Sequence, residues 1–316
     1  METYCLKLRL NGGFITSLQA DTVFGGLCWL IRYREGIESL QLMLEDFRSG
    51  SPWFVLSNAC PGDLLPKPLI KVNRFVPTTR DEQLKQAIEG KRLKKIEYLT
   101  REEFISLISG AGPVLEDREK PIRCISTLHN QISRICGSTA DGGQLFEQTE
   151  NYINQKDKNN QEQDYLSIYI KLREPGLRDW LLDQFCLLGQ TGIGKRKSTG
   201  KGSFSVIEME QCDLFENIKE PNGYLSLSNF VPAPGDPTEG HYRIFVKYGK
   251  LGEEYALTSY PFKHPLLMIQ TGSVFFTKGE VRPFYGQMVE NIAPTHPEVL
   301  QYALAFSVPV RLEGEN

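Results

Sequence analysis

Residues 166–207 read LSIYIKLREPGLRDWLLDQFCLLGQTGIGKRKSTGKGSFSVI, and three patterns follow one another in that stretch. Leu166, Ile168, Ile170 and Leu172 alternate with Ser167, Tyr169 and Lys171, the period of a strand. Pro175 and Gly176 break the run, and Leu177, Trp180, Leu181, Phe185 and Leu188 then follow the spacing of a helix. A glycine-rich segment covers residues 189–204, and a second strand opens at Phe204 and runs to Ile207. The stretch is therefore strand, helix, glycine-rich loop, strand.

The loop GQTGIGKRKSTGKGSF carries Gly189, Gly192, Gly194, Gly200 and Gly202 around Lys195, Arg196, Lys197 and Lys201, with no acid. Glycine lets a backbone approach a ligand closely and present its N–H groups. The cations supply charge, and Ser198 and Thr199 supply hydroxyl donors. The partner that fits is a polyphosphate or a nucleic-acid backbone. Gly189, Gly194 and Lys195 also fit the spacing of a nucleotide-binding P-loop. That reading fails because Arg196 stands where a Ser or Thr must hold magnesium, and because a P-loop follows a strand and opens a helix.

Outward from the loop, the 316-residue chain opens with Leu6, Leu8 and Leu10 alternating with Lys7 and Arg9, a half-buried first strand rather than a signal peptide. Asn11-Gly12-Gly13 ends it. Asp21 reads as the N-cap of a helix carrying Phe24, Leu27, Cys28 and Ile31. Residues 53–56 suit a buried strand, residues 58–68 an ordered loop, and Thr100 with Glu103 forms a capping box before a helix. Strand-like runs recur at residues 242–248, 266–269, 274–276 and 303–310, with few helical patterns between them. Strands mixed with helices in this order indicate an α+β protein.

Composition sets bounds. Apolar residues make up 40% and charged residues 24%, so a packed core is expected. The net charge of −3 excludes a uniformly basic nucleic-acid binder; any basic surface is local. Residues 67–101 form one such segment, with ten basic and four acidic residues, whereas residues 211–316 carry a net charge of −4. Seven scattered cysteines without a CxxC argue against a disulfide framework or a zinc knuckle, and point to a reducing, cytoplasmic setting. No apolar run has the length of a membrane span. No metal site and no cofactor are expected.

Residues 147–164 hold eight Asn or Gln and almost nothing to bury. Periodic strands bracket this segment, so it is expected to leave the body of the fold as an insertion at residues 126–165. That insertion is a hairpin-like thumb, with its base in residues 126–134 and 166–172 and a mobile tip at 147–164. Of the four histidines, His264 and His296 precede prolines at turns, and His129 lies at the thumb base with Asn130 and Arg134 close by.

The loop at 192–204, on the helix-to-strand side of a split βαβ unit, resembles the glycine-rich signature of the RAMP superfamily of CRISPR proteins. Residues 13–27 (GFITSLQADTVFGGL), residues 61–68 (PGDLLPKP) and the tail from Gly223 resemble, more narrowly, the subunit that caps the crRNA 5′ end in type III-A, or Csm, effector complexes. The resemblance implies two ferredoxin-like (RRM-like) domains, which fall at residues 1–210 and 211–316. It also implies binding of the crRNA 5′ handle, docking on the large Palm-containing subunit, contact with a backbone RAMP subunit, and target RNA nearby. No catalytic residue is implied. The family's thumb wedges between handle and guide, which would place His129, Asn130 and Arg134 against RNA. One departure is an added lysine: residues 193–199 read IGKRKST.

The RNA-binding set expected from loop and resemblance together is Ser17, Lys67, His129, Asn130, Arg134, Gly194, Lys195, Arg196, Lys197, Ser198, Thr199 and Lys201. The loop at residues 11–17 and Lys67 are expected to line the same RNA path as the glycine-rich loop, with the helix at Asp21 offering free N–H groups. Two other readings stand beside this one. The first is a metal-independent RAMP endoribonuclease with His129 as general base; the second is a protein scaffold that touches no RNA.

Overall fold

A computed structural model describes residues 1–70, 79–130, 132, 134, 137, 145–154 and 164–312. It is a mixed α/β structure whose sheets are antiparallel. The alternation at the start produces β1 (Glu2–Leu10), with Leu6 and Leu8 fully buried and Lys7 paired to Glu208 at 2.7 Å. There follow α1 (Ala20–Arg34), α2 (Ile37–Arg48), β2 (Phe54–Leu56), β3 (Cys60–Pro61), β4 (Leu65–Pro66), α3 (Arg80–Lys95), β5 (Tyr98–Leu99) and α4 (Arg101–Ile108). A hairpin of β6 (Ile122–Asn130) and β7 (Leu145–Ile153) comes next, and then β8 (Tyr165–Leu172), α5 (Leu177–Thr191) and β9 (Phe204–Gln211).

The main sheet runs β2-β8-β1-β9, with β3 also paired to β8. Its two central strands are the ones with the clearest alternation in the sequence. α1 and α5 lie in close contact: a Cβ on Gly26 would stand 3.0 Å from the Leu188 side chain. The capping box expected at Thr100 and Glu103 is formed, and an equivalent one at Thr79 and Glu82 opens α3.

The second half contains β10 (Gly223–Ser226), β11 (Gly240–His241), β12 (Ile244–Lys247), β13 (Leu266–Ile269), β14 (Val274–Phe276), β15 (Phe284–Gly286) and β16 (Leu304–Val310). Its sheet runs β11-β14-β10-β16-β15, and β12 with β13 forms a separate two-stranded ribbon. With β15 set aside, both sheets share one order: second, third, first, last. The helices do not repeat. Among the described residues after β9 there is one short 3₁₀ turn (Glu253–Leu257) and no α-helix. Pro232, Pro234 and Pro237 in one connection, and Pro283, Pro294 and Pro297 in the other, lack the N–H donors a helix interior needs, and their rings clash with the carbonyl one turn back. The second half thus repeats the strand order of the first without a helical layer.

One hydrophobic core crosses the 210/211 boundary. Tyr302 packs 4.8 Å from the Phe24 ring and accepts a hydrogen bond from the Leu56 N–H at 2.9 Å. Tyr169 and Phe306 meet across Phe215. Lys171 reaches from β8 into the second half and donates to the carbonyls of Pro283 and Ser307 at 2.8 and 2.6 Å.

The thumb departs from expectation in its strands. The partner of β6 is β7, in register from Ile122↔Ile153 to Asn130↔Leu145, and residues 166–172 belong to the main sheet. Residues 147–153, read as part of a mobile tip, are strand. Their buried face is polar, with Gln148 and Glu150 pointing inward, so no hydrophobic period betrays it. Residues 155–163 lie outside the described set.

Candidate nucleic-acid interface

α5 ends at Gly192, and the loop after it doubles back. Ile193 N–H donates to the Gly202 carbonyl at 3.0 Å, and Lys197–Thr199 makes a single 3₁₀ turn. Gly202 has φ +68°, and a Cβ there would stand 2.2 Å from the Ile193 oxygen; Gly194 has φ +84°, and a Cβ there would stand 2.5 Å from Thr16. Only glycine meets both demands. Arg196 takes the left-handed conformation without that excuse, at φ 62°. Such backbone strain is concentrated at functional loops.

The loop is moored to the one after β1. Lys195 N–H donates to Thr16 Oγ1 at 3.0 Å, Gly202 N–H to the Gly13 carbonyl at 3.2 Å, and Asn11 N–H to the Ser203 carbonyl at 3.0 Å. The thumb joins the same junction. Phe14 and Asn151 exchange backbone hydrogen bonds at 3.0 and 2.8 Å. Lys201 Nζ pairs with Glu150 at 2.7 Å, and Tyr152 and Gln148 donate to the same carboxylate. The Lys201 hydrogen bond leads the causes that hold the Glu150 carboxyl down at about 2.

Charge on the loop divides into two classes. Lys197 is engaged by Glu253, and Lys201 by Glu150. Lys195 and Arg196 are exposed, and neither has a carboxylate partner among the described residues. The Arg196 guanidinium lies 5.4 Å from the centroid of Phe146, and Phe146 stacks on His129 at 5.5 Å with 17° between planes. His129 Nε2 is buried without a hydrogen-bond partner. The junction thus offers two outward cations next to a cation–aromatic–imidazole stack. This is the chemistry of a surface that holds phosphates and stacks a base.

The remaining expected residues fall in different places. Gly194 and Ser198 are exposed on the loop; Thr199 is too, its hydroxyl donating to the Arg196 carbonyl at 2.9 Å. Ser17 is exposed beside Thr16. Asn130 is exposed at the end of β6, and Arg134 is exposed beyond it. Lys67 is not brought to the junction: its ammonium donates to the Leu93 carbonyl at the end of α3. The N-terminus of α1 is not open either. Asn58 Oδ1 accepts from the Ala20 N–H at 3.0 Å, and Asp21 sits in the first turn, paired with Lys247 at 2.5 Å, rather than at the cap. Within the basic segment at 67–101, Arg92 pairs with Glu89 and Asp117, and Arg101 with Asp63.

Thr16, Phe146, Glu150 and Glu253 belong to the junction and were not legible from the sequence, because each acts through a partner far along the chain. The order α5, loop, β9 is the reverse of a P-loop, as the sequence indicated. No group of three His, Cys, Asp or Glu among the described residues could hold a metal ion. No helix among them is long and apolar enough to cross a membrane.

No family model matches the chain, and no curated protein does. Solved structures do. A chain from the crystal structure of the Csm1-Csm4 cassette in complex with cA4 is 17% identical with a TM-score of 0.65, over 100% of both chains. One from the cassette in complex with pppApA is 19% identical with a TM-score of 0.64, again over 100% of both. One from the Csm3-Csm4 subcomplex in the type III-A CRISPR-Cas interference complex is 17% identical with a TM-score of 0.58, over 98% of this chain and 100% of that chain. At these identities the likeness is one of fold.

Proposed function

We propose that the protein is a RAMP subunit of a type III-A CRISPR effector complex, a non-catalytic, crRNA-binding member of the Csm4 type serving antiviral defence in the cytoplasm. The observation that carries this reading is the junction where Lys195 and Arg196, without a carboxylate partner among the described residues, stand beside the Phe146–His129 stack. A single-stranded 5′ handle needs phosphate contacts for affinity and a stacking surface for register. The two cations and the loop N–H groups meet the first need, and the aromatic stack meets the second. The hairpin carrying Phe146 and His129 then acts as the thumb, with Asn130 and Arg134 toward the RNA. In this reading the first half is a ferredoxin-like unit, and the second is a ferredoxin-like sheet stripped of helices.

Protein partners fit the other half. Ile244 and Val246 on β12, Tyr248 just beyond it, and Leu267 on β13 are large, apolar and exposed, and isolated proteins seldom leave such a cluster uncovered. We assign this half to docking on the large Palm-containing subunit and on the backbone subunit, with target RNA passing near the thumb.

The stack also separates binding from catalysis. His129 lies flat on Phe146 and has no hydrogen-bonding acid or base among the described residues, which supports a stacking role over a general base. The test is co-purification with a large Palm-type subunit and a short RNA, together with incubation of the isolated chain with repeat RNA in EDTA. Retention of both partners without cleavage is expected. Cleavage abolished by His129→Ala would make the protein the endoribonuclease instead.

A further inference from the structure

A cleft of about 580 Å³ lies where the two halves meet, and it shares no lining residue with the glycine-rich loop. Residues 67–70 form one wall and residues 240–243 the other. The cleft is shallow and open to solvent. Both walls are fixed by backbone. Lys67 N–H donates to the Glu97 carbonyl at 2.9 Å, and Leu69 N–H to the Gly272 carbonyl at 2.8 Å. β11 pairs with β14 so closely that a Cβ on Gly240 would stand 2.1 Å from the Val274 oxygen.

What these walls present is specific. The Arg243 backbone is held by Ser273 Oγ at 3.4 Å and by the Gln270 N–H at 2.9 Å, while its guanidinium has no acceptor among the described residues. Tyr242 stacks on Phe275 at 5.4 Å with 14° between planes, and is 45% exposed on its outward side. Neither nitrogen of His241 has a partner among the described residues, and no acid is among those that line the cleft. A fixed aromatic face beside an unpaired guanidinium and an imidazole is a pairing that takes a planar base on one element and its phosphate on the other.

We propose that this cleft binds one nucleotide unit of single-stranded RNA, its phosphate on Arg243 and its base on the outer face of Tyr242. The inference rests on the RNA-binding reading above and adds a second point of contact to it. Nucleotide chemistry reaches such a cleft either as a free mononucleotide or as part of a strand. Among the described lining residues only Tyr242 and Arg243 are exposed, and one guanidinium, one imidazole and one ring face are too few contacts to hold a free nucleotide tightly. A strand anchored at Lys195 and Arg196 and long enough to reach the cleft would enter at raised effective concentration and need no more.

The experiment uses the full chain, a short labelled single-stranded RNA, and the variants Arg243→Ala and Tyr242→Leu, both on the surface and checked for unchanged melting. Each is expected to weaken RNA binding about tenfold, since a stacked base or an Arg–phosphate contact contributes on that order. Arg243→Ala should also flatten the slope of log K against log salt by about 0.7. Unchanged affinity in both variants, alongside loss in Lys195→Ala/Arg196→Ala, overturns the cleft while the RNA-binding reading stands. Failure of the wild-type chain to bind RNA at all overturns both. A parallel titration with AMP is expected to leave RNA bound even in large excess. AMP binding that is lost in Arg243→Ala makes the cleft a mononucleotide site and overturns the strand assignment.

Discussion

At the scale of single residues, the glycine-rich loop carries four cations whose roles differ by their neighbours. Lys197 and Lys201 already have carboxylates, so a phosphate gains little from them until Glu253 or Glu150 moves away. Lys195 and Arg196 meet a phosphate without that competition. Lys195→Ala/Arg196→Ala should therefore weaken RNA binding and flatten the salt slope by about 1.4, two phosphate contacts at about 0.7 each. Lys197→Ala/Lys201→Ala should change the slope less, and fluorescence anisotropy over a salt series reads both. The stack makes its own prediction. His129→Phe keeps a planar ring and should retain binding, whereas His129→Ala and Phe146→Leu should each lose about 1–3 kcal/mol of base stacking. Equal losses in His129→Phe and His129→Ala would mean that the imidazole acts through its nitrogens.

At the scale of elements, the thumb and the glycine-rich loop are one assembly fastened by Glu150. Its carboxyl titrates at about 2, far below the ordinary carboxylate value, chiefly because Lys201 donates to it. A depressed carboxyl contributes stability above its unfolded pKa, and that contribution fades as pH falls through the folded value. The thumb should stay docked at neutral pH and loosen between about pH 4.5 and pH 2. Hydrogen exchange at the Phe14 and Asn151 amides reports this directly, and Glu150→Gln should raise their exchange already at pH 7. Gly202→Ala should disorder the loop, because its φ of +68° and the 2.2 Å approach to the Ile193 oxygen leave no room for a methyl group. These same elements show what a sequence conceals. β1, β8 and α5 were legible because each buries an apolar face at a fixed period. β7 was not, because its inward residues are Gln148 and Glu150, whose burial depends on a lysine fifty-one positions away from Glu150. α3 has no buried residue at all, so hydrophobic spacing could not outline it. The glycine-rich loop was legible as chemistry, but its division into paired and unpaired cations was not, since Glu253 arrives from the other half of the chain.

At the scale of the whole molecule, the two sheets are joined by a shared core with a lysine in it. Lys171 projects from β8 across the junction, donating to Pro283 and Ser307 carbonyls and lying 4.8 Å from the Phe306 ring. Burial pushes its ammonium down to about 7 despite those acceptors. In the unfolded chain the same amine titrates near its ordinary value of 10.5. Between those two values the unfolded state holds a proton that the folded state has released. Raising the pH across that interval therefore favours the folded state, and below about 7 the dependence vanishes because both states are protonated. Melting temperature should rise from pH 7 toward pH 10 by more than surface titrations produce. Lys171→Met removes the ionisable group, so its melting temperature should lose this rise. The variant will also be less stable at every pH, because the Pro283 and Ser307 carbonyls lose their donor. The slope, not the absolute stability, is the readout. A wild-type slope that persists unchanged in Lys171→Met would show that the lysine stays charged at the junction, held there by its two carbonyls and the Phe306 ring.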